Sequence, residues 1–144
     1  MPRLTLDLPS QFIFSTVLTV RHNDINYGGH VGNDSFLSLM QEARIVFYRQ
    51  LGFRGELRFE GSVGQIISDA MVIYKSECFL GDRLQIDIGA TDFNKYGFDM
   101  VYLATNLTSG KEVARAKTGI VCFDYDKRKV AKAPSILLDK LQGA

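Results

Sequence analysis

The sequence predicts an α+β domain in which one long central helix is wrapped by a curved antiparallel β-sheet. Three observations carry this. Phe36, Met40, Ala43, Phe47 and Leu51 recur at steps of three and four, the spacing of one helical face. Leu37, Leu39, Ile45 and Val46 add apolar surface on the other sides of that helix, so a curled sheet is needed to bury it. Runs rich in β-branched and aromatic residues precede the helix and fill most of the chain after it.

Taken in order, "QFIFSTVLTVR" (11–21) reads as the first strand. A polar stretch, "NDINYGGHVGND" (23–34), separates it from the helix. Asn33 or Asp34 is expected to cap the helix by accepting from first-turn N–H groups. Gly52 followed by Phe53 fits a glycine C-cap with a hydrophobic contact. "VGQIISDAMVIYKSECF" (63–79) holds one bent strand or two, and Gly81-Asp82 is a turn. "RLQIDIGATDF" (83–93) and "GFDMVYLATNL" (97–107) form a hairpin about "NKY". After a turn at "TSGKE" comes the last long strand, "VARAKTGIVCFDYD" (113–126), and then a polar turn at Lys127-Arg128-Lys129. Pro134 and Ser135 start a short helix, "SILLDKLQ".

The 144 residues suit a single domain, 1–144, and 46% apolar content is enough for a packed core. Formal charge is +1, with Lys and Arg scattered rather than clustered, so nucleic acid is not an expected partner. No apolar run approaches the roughly 18 residues that span a bilayer. The opening "MPRLTLDLPSQF" has no signal-peptide apolar core, and a cytoplasmic location is the expectation. Cys78 and Cys122 each lie in a strand-like run without a CxxC partner or a histidine cluster; buried thiols and no metal site are expected.

In "VRHNDINYGGHVGNDSFLSLMQEARIVFYRQLGF" (20–53), Asp24, Gly29, His30, Val31 and Asn33 match a loop pattern D-x-D-x-x-G-H-V-N-N. Glu42, Ala43, Arg44, Leu51 and Gly52 match a following helix with Glu, Ala-Arg and L-G, the glutamate here standing directly before Ala43. With "YKSECFLGDRLQI" (74–86) and "RAKTGIVCFD" (115–124), these residues make the chain resemble, over nearly its whole length, the hotdog-fold acyl-CoA thioesterases of the 4-hydroxybenzoyl-CoA thioesterase type. The resemblance implies hydrolysis of an acyl-CoA or acyl-carrier thioester. It implies no cofactor beyond coenzyme A as part of the substrate. It also implies a homodimer or homotetramer whose sheets join edge to edge, with pockets at the interface, an arrangement that covers exposed strand edges.

Thioester hydrolysis needs a stabilised oxyanion, an attacking group and a departing thiolate. A helix N-terminus offers free N–H groups and a positive dipole end, so the amides around Val31, Gly32 and Asn33 are candidates to hold the carbonyl oxygen. Gly28 and Gly29 allow close backbone approach or positive φ, and Tyr27 is a candidate pocket wall. The second aspartate of the family's D-x-D, its usual nucleophile or base, is here Asn26, which cannot take a proton near neutral pH. Asp24, His30 and Glu42 are the candidates to supply a base instead. A non-catalytic acyl-thioester binding protein on the same scaffold is the alternative. A hydratase ranks last, because His22 and His30 are the only histidines.

Overall fold

The structure, a computed structural model, describes residues 3–143; the first two residues and the last of the expected 1–144 domain lie outside the described residues. The elements are β1 (Phe14–Thr19), α1 (Asn33–Gln50), β2 (Val63–Tyr74), β3 (Arg83–Asn94), β4 (Gly97–Asn106), β5 (Glu112–Asp124), β6 (Lys129–Val130) and α2 (Ser135–Gln142). Side chains of β1 alternate between half-buried and exposed, as expected of a strand with one covered face. The strand is shorter than the apolar run that announced it, because Arg21 turns into a 3₁₀ turn over His22–Asp24.

The strands lie in the order β1-β3-β4-β5-β2, antiparallel throughout, with β6 on β5. Segment 63–79 resolves into one strand. A bulge between Ile67 and Asp69 bends it, and it ends at Tyr74. The sequence reading missed β6, whose two residues sit in a lysine-rich turn. β1 and β2 are the sheet edges, and in β2 Ile67, Ser68, Asp69 and Ala70 are exposed.

The core lies between α1 and the concave face of the sheet. Phe36, Leu39, Met40, Ala43, Phe47 and Tyr48 of α1 are buried with Ile86, Ile88, Met100, Tyr102 and Ile120 of the strands. Each large side chain so buried stabilises by about 1.5–3 kcal/mol. Leu37 stays exposed, and Ile45 and Val46 are half-buried, so the outer side of α1 is left open within one chain.

Arg44 is the unexpected member of the buried face, at 4% exposure. Its guanidinium donates to Glu56 Oε1 at 2.5 Å and to the Tyr102 hydroxyl at 2.9 Å, and that hydroxyl shares a 2.8 Å bond with Thr118. The arginine of Glu42-Ala43-Arg44 therefore ties helix, following loop and sheet together. Removing one partner of such a buried pair costs about 3–5 kcal/mol.

The two ends of α1 are finished differently. At the C-terminus Gly52 has φ +102°, its N–H donates to the Arg49 carbonyl, and Phe53 N–H donates to the Tyr48 carbonyl. This is the expected glycine cap, in Schellman form. At the N-terminus the expectation is corrected: Gly32 is the cap residue, no side chain caps the helix, and Asn33 and Asp34 are its first two residues. The Gly32 N–H is bound to the Asp24 carbonyl at 3.0 Å, which holds Gly32 extended, so the helix starts at Asn33. Cys78 and Cys122 are free and buried, and burial pushes both thiols up to about 11.

Candidate functional site

The polar stretch between β1 and α1 is anchored by Asp24. This residue is 2% exposed and accepts from the Arg21 N–H at 2.8 Å and from its guanidinium at 3.1 and 3.3 Å. Burial alone would push the carboxyl up, but the hydrogen bonds and charge of Arg21 outweigh it and hold it below the ordinary aspartate value. Both oxygens are occupied, so the geometry gives Asp24 the work of fixing the loop.

Beyond Asp24 the chain turns back on itself. Asn26 N–H donates to the His30 carbonyl, and Gly29 N–H donates to the Asn26 carbonyl. Gly29 takes φ +84°, the left-handed conformation that glycine adopts without strain. The Asn26 side-chain oxygen accepts from Gly28 N–H at 2.9 Å. A Cβ on Gly28 would lie 3.2 Å from Asn26 Oδ1 and 3.4 Å from His30 Nε2, so these two side chains converge over a residue that has none. His30 Nδ1 lies 3.2 Å from the Val31 carbonyl. A carbonyl only accepts, so Nδ1 carries the proton in the neutral ring and Nε2 is left as an acceptor beside Gly28.

The expectation for the amides narrows. Val31 N–H is donated to the Cys78 carbonyl and Gly32 N–H to the Asp24 carbonyl, each at 3.0 Å, so neither is available to a ligand. Val31 is also buried in the core, at 4% exposure. Among the described residues, the N–H groups of Asn33 and Asp34 have no acceptor, and they stand at the positive end of an 18-residue helix.

Asn33 and His30 line a cavity of about 260 Å³ with Phe36, Tyr74, Lys75 and Cys78. The Tyr74 hydroxyl donates to the Asn33 carbonyl at 3.1 Å, and its ring meets Phe36 edge-on at 5.2 Å. Sequence reasoning missed this wall. Tyr74 is 41 residues from Asn33, and only the antiparallel curl of β2 brings it there. Glu42 is not part of this cavity. It lies on the exposed side of α1, in a separate cleft of about 600 Å³ shared with Arg21, Ser38 and residues 17–19 of β1. Tyr27 is fully exposed at the tip of the loop. Among the described residues, no group of three or more His, Cys, Asp or Glu side chains is placed to hold a metal ion.

The arrangement combines unpartnered N–H groups at a helix start, a neutral amide, an imidazole acceptor and an adjoining cavity with aromatic walls. Such a set polarises a carbonyl and activates water next to it.

Comparison with known proteins identifies the family. The pattern of the thioesterase-like superfamily matches residues 20–141. A 1,4-dihydroxy-2-naphthoyl-CoA hydrolase from Synechococcus elongatus is 30% identical over 125 residues, 85% of this chain and 90% of the relative. A 1,4-dihydroxy-2-naphthoyl-CoA thioesterase from Synechocystis shares the fold, with a TM-score of 0.80 at 23% identity over 90% of this chain and 95% of its own. A Staphylococcus aureus protein solved in complex with CoA superposes with a TM-score of 0.82 at 14% identity, over 96% of this chain and 87% of its own.

Proposed function

This chain belongs to the thioesterase-like superfamily, and from that premise we propose that it hydrolyses an acyl-CoA to the free acid and the thiol. The observation that carries the reading is the start of α1, where His30 and Asn33, whose N–H is unpartnered, line one cavity, with Asn26 in the same loop beside Gly28. The thioester carbonyl accepts from Asn33 N–H, and the developing oxyanion is stabilised there and by the helix dipole. Asn26 orients a water, and His30 Nε2 takes its proton as the oxygen bonds to the carbonyl carbon. The tetrahedral intermediate then collapses, the C–S bond breaks, and the imidazolium returns its proton to the departing thiolate.

The acyl group in this reading is aromatic. Phe36 and Tyr74 give the cavity aromatic walls, and the curated relative at 30% identity is named as a hydrolase of a naphthoyl thioester. The working form is a homodimer or homotetramer. The open edge of β2 and the fully exposed Tyr27 are what a second copy would cover. The enzyme is cytoplasmic in this reading, and among the described residues no helix is long and apolar enough to cross a membrane.

A second reading, acyl-thioester binding without turnover, draws on Asn26 standing where the family places an aspartate. Thiol release from 1,4-dihydroxy-2-naphthoyl-CoA, benzoyl-CoA and linear acyl-CoAs decides between them. Turnover that favours the aromatic thioesters is the expected result. Saturable binding with no thiol released from any of them would establish the second reading in place of the first.

A further inference from the structure

We infer that Asp34 is a further catalytic residue of the proposed hydrolysis, its carboxylate accepting the second O–H of the attacking water; this rests on the thioesterase reading above. The chain departs from the loop pattern D-x-D-x-x-G-H-V-N-N at two places, with Asn26 for an aspartate and Gly32 for an asparagine. The structure sets both departures against Asp34. A Cβ on Gly32 would lie 2.8 Å from Asp34 Oδ1, 3.5 Å from Asn26 Cβ and 3.9 Å from Asn26 Nδ2. Because Gly32 has no side chain, the Asp34 carboxylate and the Asn26 amide face each other across it. The negative charge that position 26 lacks is thus supplied to the same place from the first turn of α1.

The polar atoms around Gly32 are free to act. Asn26 Oδ1 accepts from Gly28 N–H, which leaves Nδ2 as a donor. Asp34 is exposed, and among the described residues its carboxylate makes no hydrogen bond or ion pair. Oδ1 and Nδ2 flank one point without bonding to each other, and a water bridging them would have legs of about 2.8 Å. Asn26 also links this point to the imidazole, since its Oδ1 and His30 Nε2 both lie beside Gly28. The Asp34 charge is felt at the cavity wall as well: after burial, it is the second cause that raises the Tyr74 hydroxyl above its ordinary value.

Each side chain then has one task on the water. The water oxygen accepts from Asn26 Nδ2 and keeps its other lone pair for the carbonyl carbon. One hydrogen passes to His30 Nε2 as the C–O bond forms. The other is held by Asp34 and stays on the new carboxyl group. When the C–S bond breaks, the imidazolium gives its proton to the thiolate, and until then the carboxylate charge stabilises the imidazolium. An aspartate in the first turn also answers the positive end of the helix dipole. That role bears on stability alone and gives no reason for turnover to depend on what stands at position 26, so the two roles separate by experiment.

The test compares thiol release from benzoyl-CoA by the parent, Asp34→Asn, Gly32→Ala and the exchanged pair Asn26→Asp/Asp34→Asn, each checked for folding by a thermal melt. Asp34→Asn should lower kcat by about ten- to a hundredfold, the range of a hydrogen bond to a charged group, with KM held. Gly32→Ala keeps both polar groups but puts a Cβ where the carboxylate stands, and kcat should fall there too. The exchanged pair should recover part of the rate lost in Asp34→Asn, because a carboxylate again faces the water. Parent-like kcat in Asp34→Asn or Gly32→Ala, or no recovery in a folded exchanged pair, overturns the role of Asp34 and leaves the thioesterase reading standing. No thiol release by the parent from any acyl-CoA overturns both.

Discussion

The two ends of α1 face the same physical problem and solve it in opposite ways. Every helix leaves N–H groups free at its start and carbonyls free at its end. At the C-terminus the carbonyls are taken: Gly52 and Phe53 close a Schellman turn, and Lys140 Nζ of α2 donates to the Leu51 carbonyl at 2.5 Å. At the N-terminus no side chain caps the helix, although Asn33 and Asp34, both good capping residues, stand beside the cap position. A helix end closed by its own chain serves stability. One left without a cap, beside an imidazole and a cavity, keeps its N–H groups free, as the proposed reaction requires.

The sharpest way to break this comparison is to remove the imidazole. His30→Gln should lower kcat by about 10²–10⁴-fold if His30 is the base, with the protein still folded. Adding Asn26→Asp in that background should restore part of the rate, because a carboxylate then occupies the family's attack position. Full activity in His30→Gln, measured by thiol release, would show that the base is another residue.

Next in size is the anchor of the open end. Asp24→Asn keeps the shape but removes the charge that Arg21 binds, and should cost about 2 kcal/mol at neutral pH. The sign of the pH dependence follows from the depressed carboxyl. Its contribution is complete above about pH 5 and is lost as pH falls below about 4, toward the folded-state value. Urea melts of parent and variant should therefore differ at pH 7 and converge in acid. A difference that persists unchanged at low pH would assign the effect to shape instead of charge.

At the closed end, Gly52→Ala forces a left-handed conformation on a residue with a Cβ, which would also lie 3.1 Å from Lys140 Nζ. A loss of about 1 kcal/mol is expected from thermal melts, with kcat unchanged. The smallest effect belongs to Asn33→Ala. Its side chain makes no cap bond, so stability should change by less than about 0.5 kcal/mol. A loss of about 1 kcal/mol, the usual value for a capping side chain, would show that Asn33 caps the helix in solution and would erase the contrast between the two ends.

Much of this was legible in the chain itself. The three-and-four spacing from Phe36 to Phe47, the glycine stop at Gly52, the hairpin about Asn94 to Gly97 and the short helix after Pro134 each depend on neighbours within a few residues. So did the loop motif that pointed to Asn26, His30 and Asn33. What those side chains and amides do is another matter. Arg44 looks like a solvated helix residue until Glu56 and Tyr102 are placed around it. Val31 and Gly32 look like free donors until the Cys78 and Asp24 carbonyls are set against them. Tyr74 joins the site only because β2 lies at the far edge of the sheet and curls back to the helix start.

The sequence by itself determined the elements, their order and the resemblance, because periodicity and turn chemistry are local. The tertiary structure alone decided which amides stay free, which carboxylate is locked and where the clefts run. Each of those depends on a partner remote in sequence, or on a neighbour whose orientation the fold selects among several that the local chain allows.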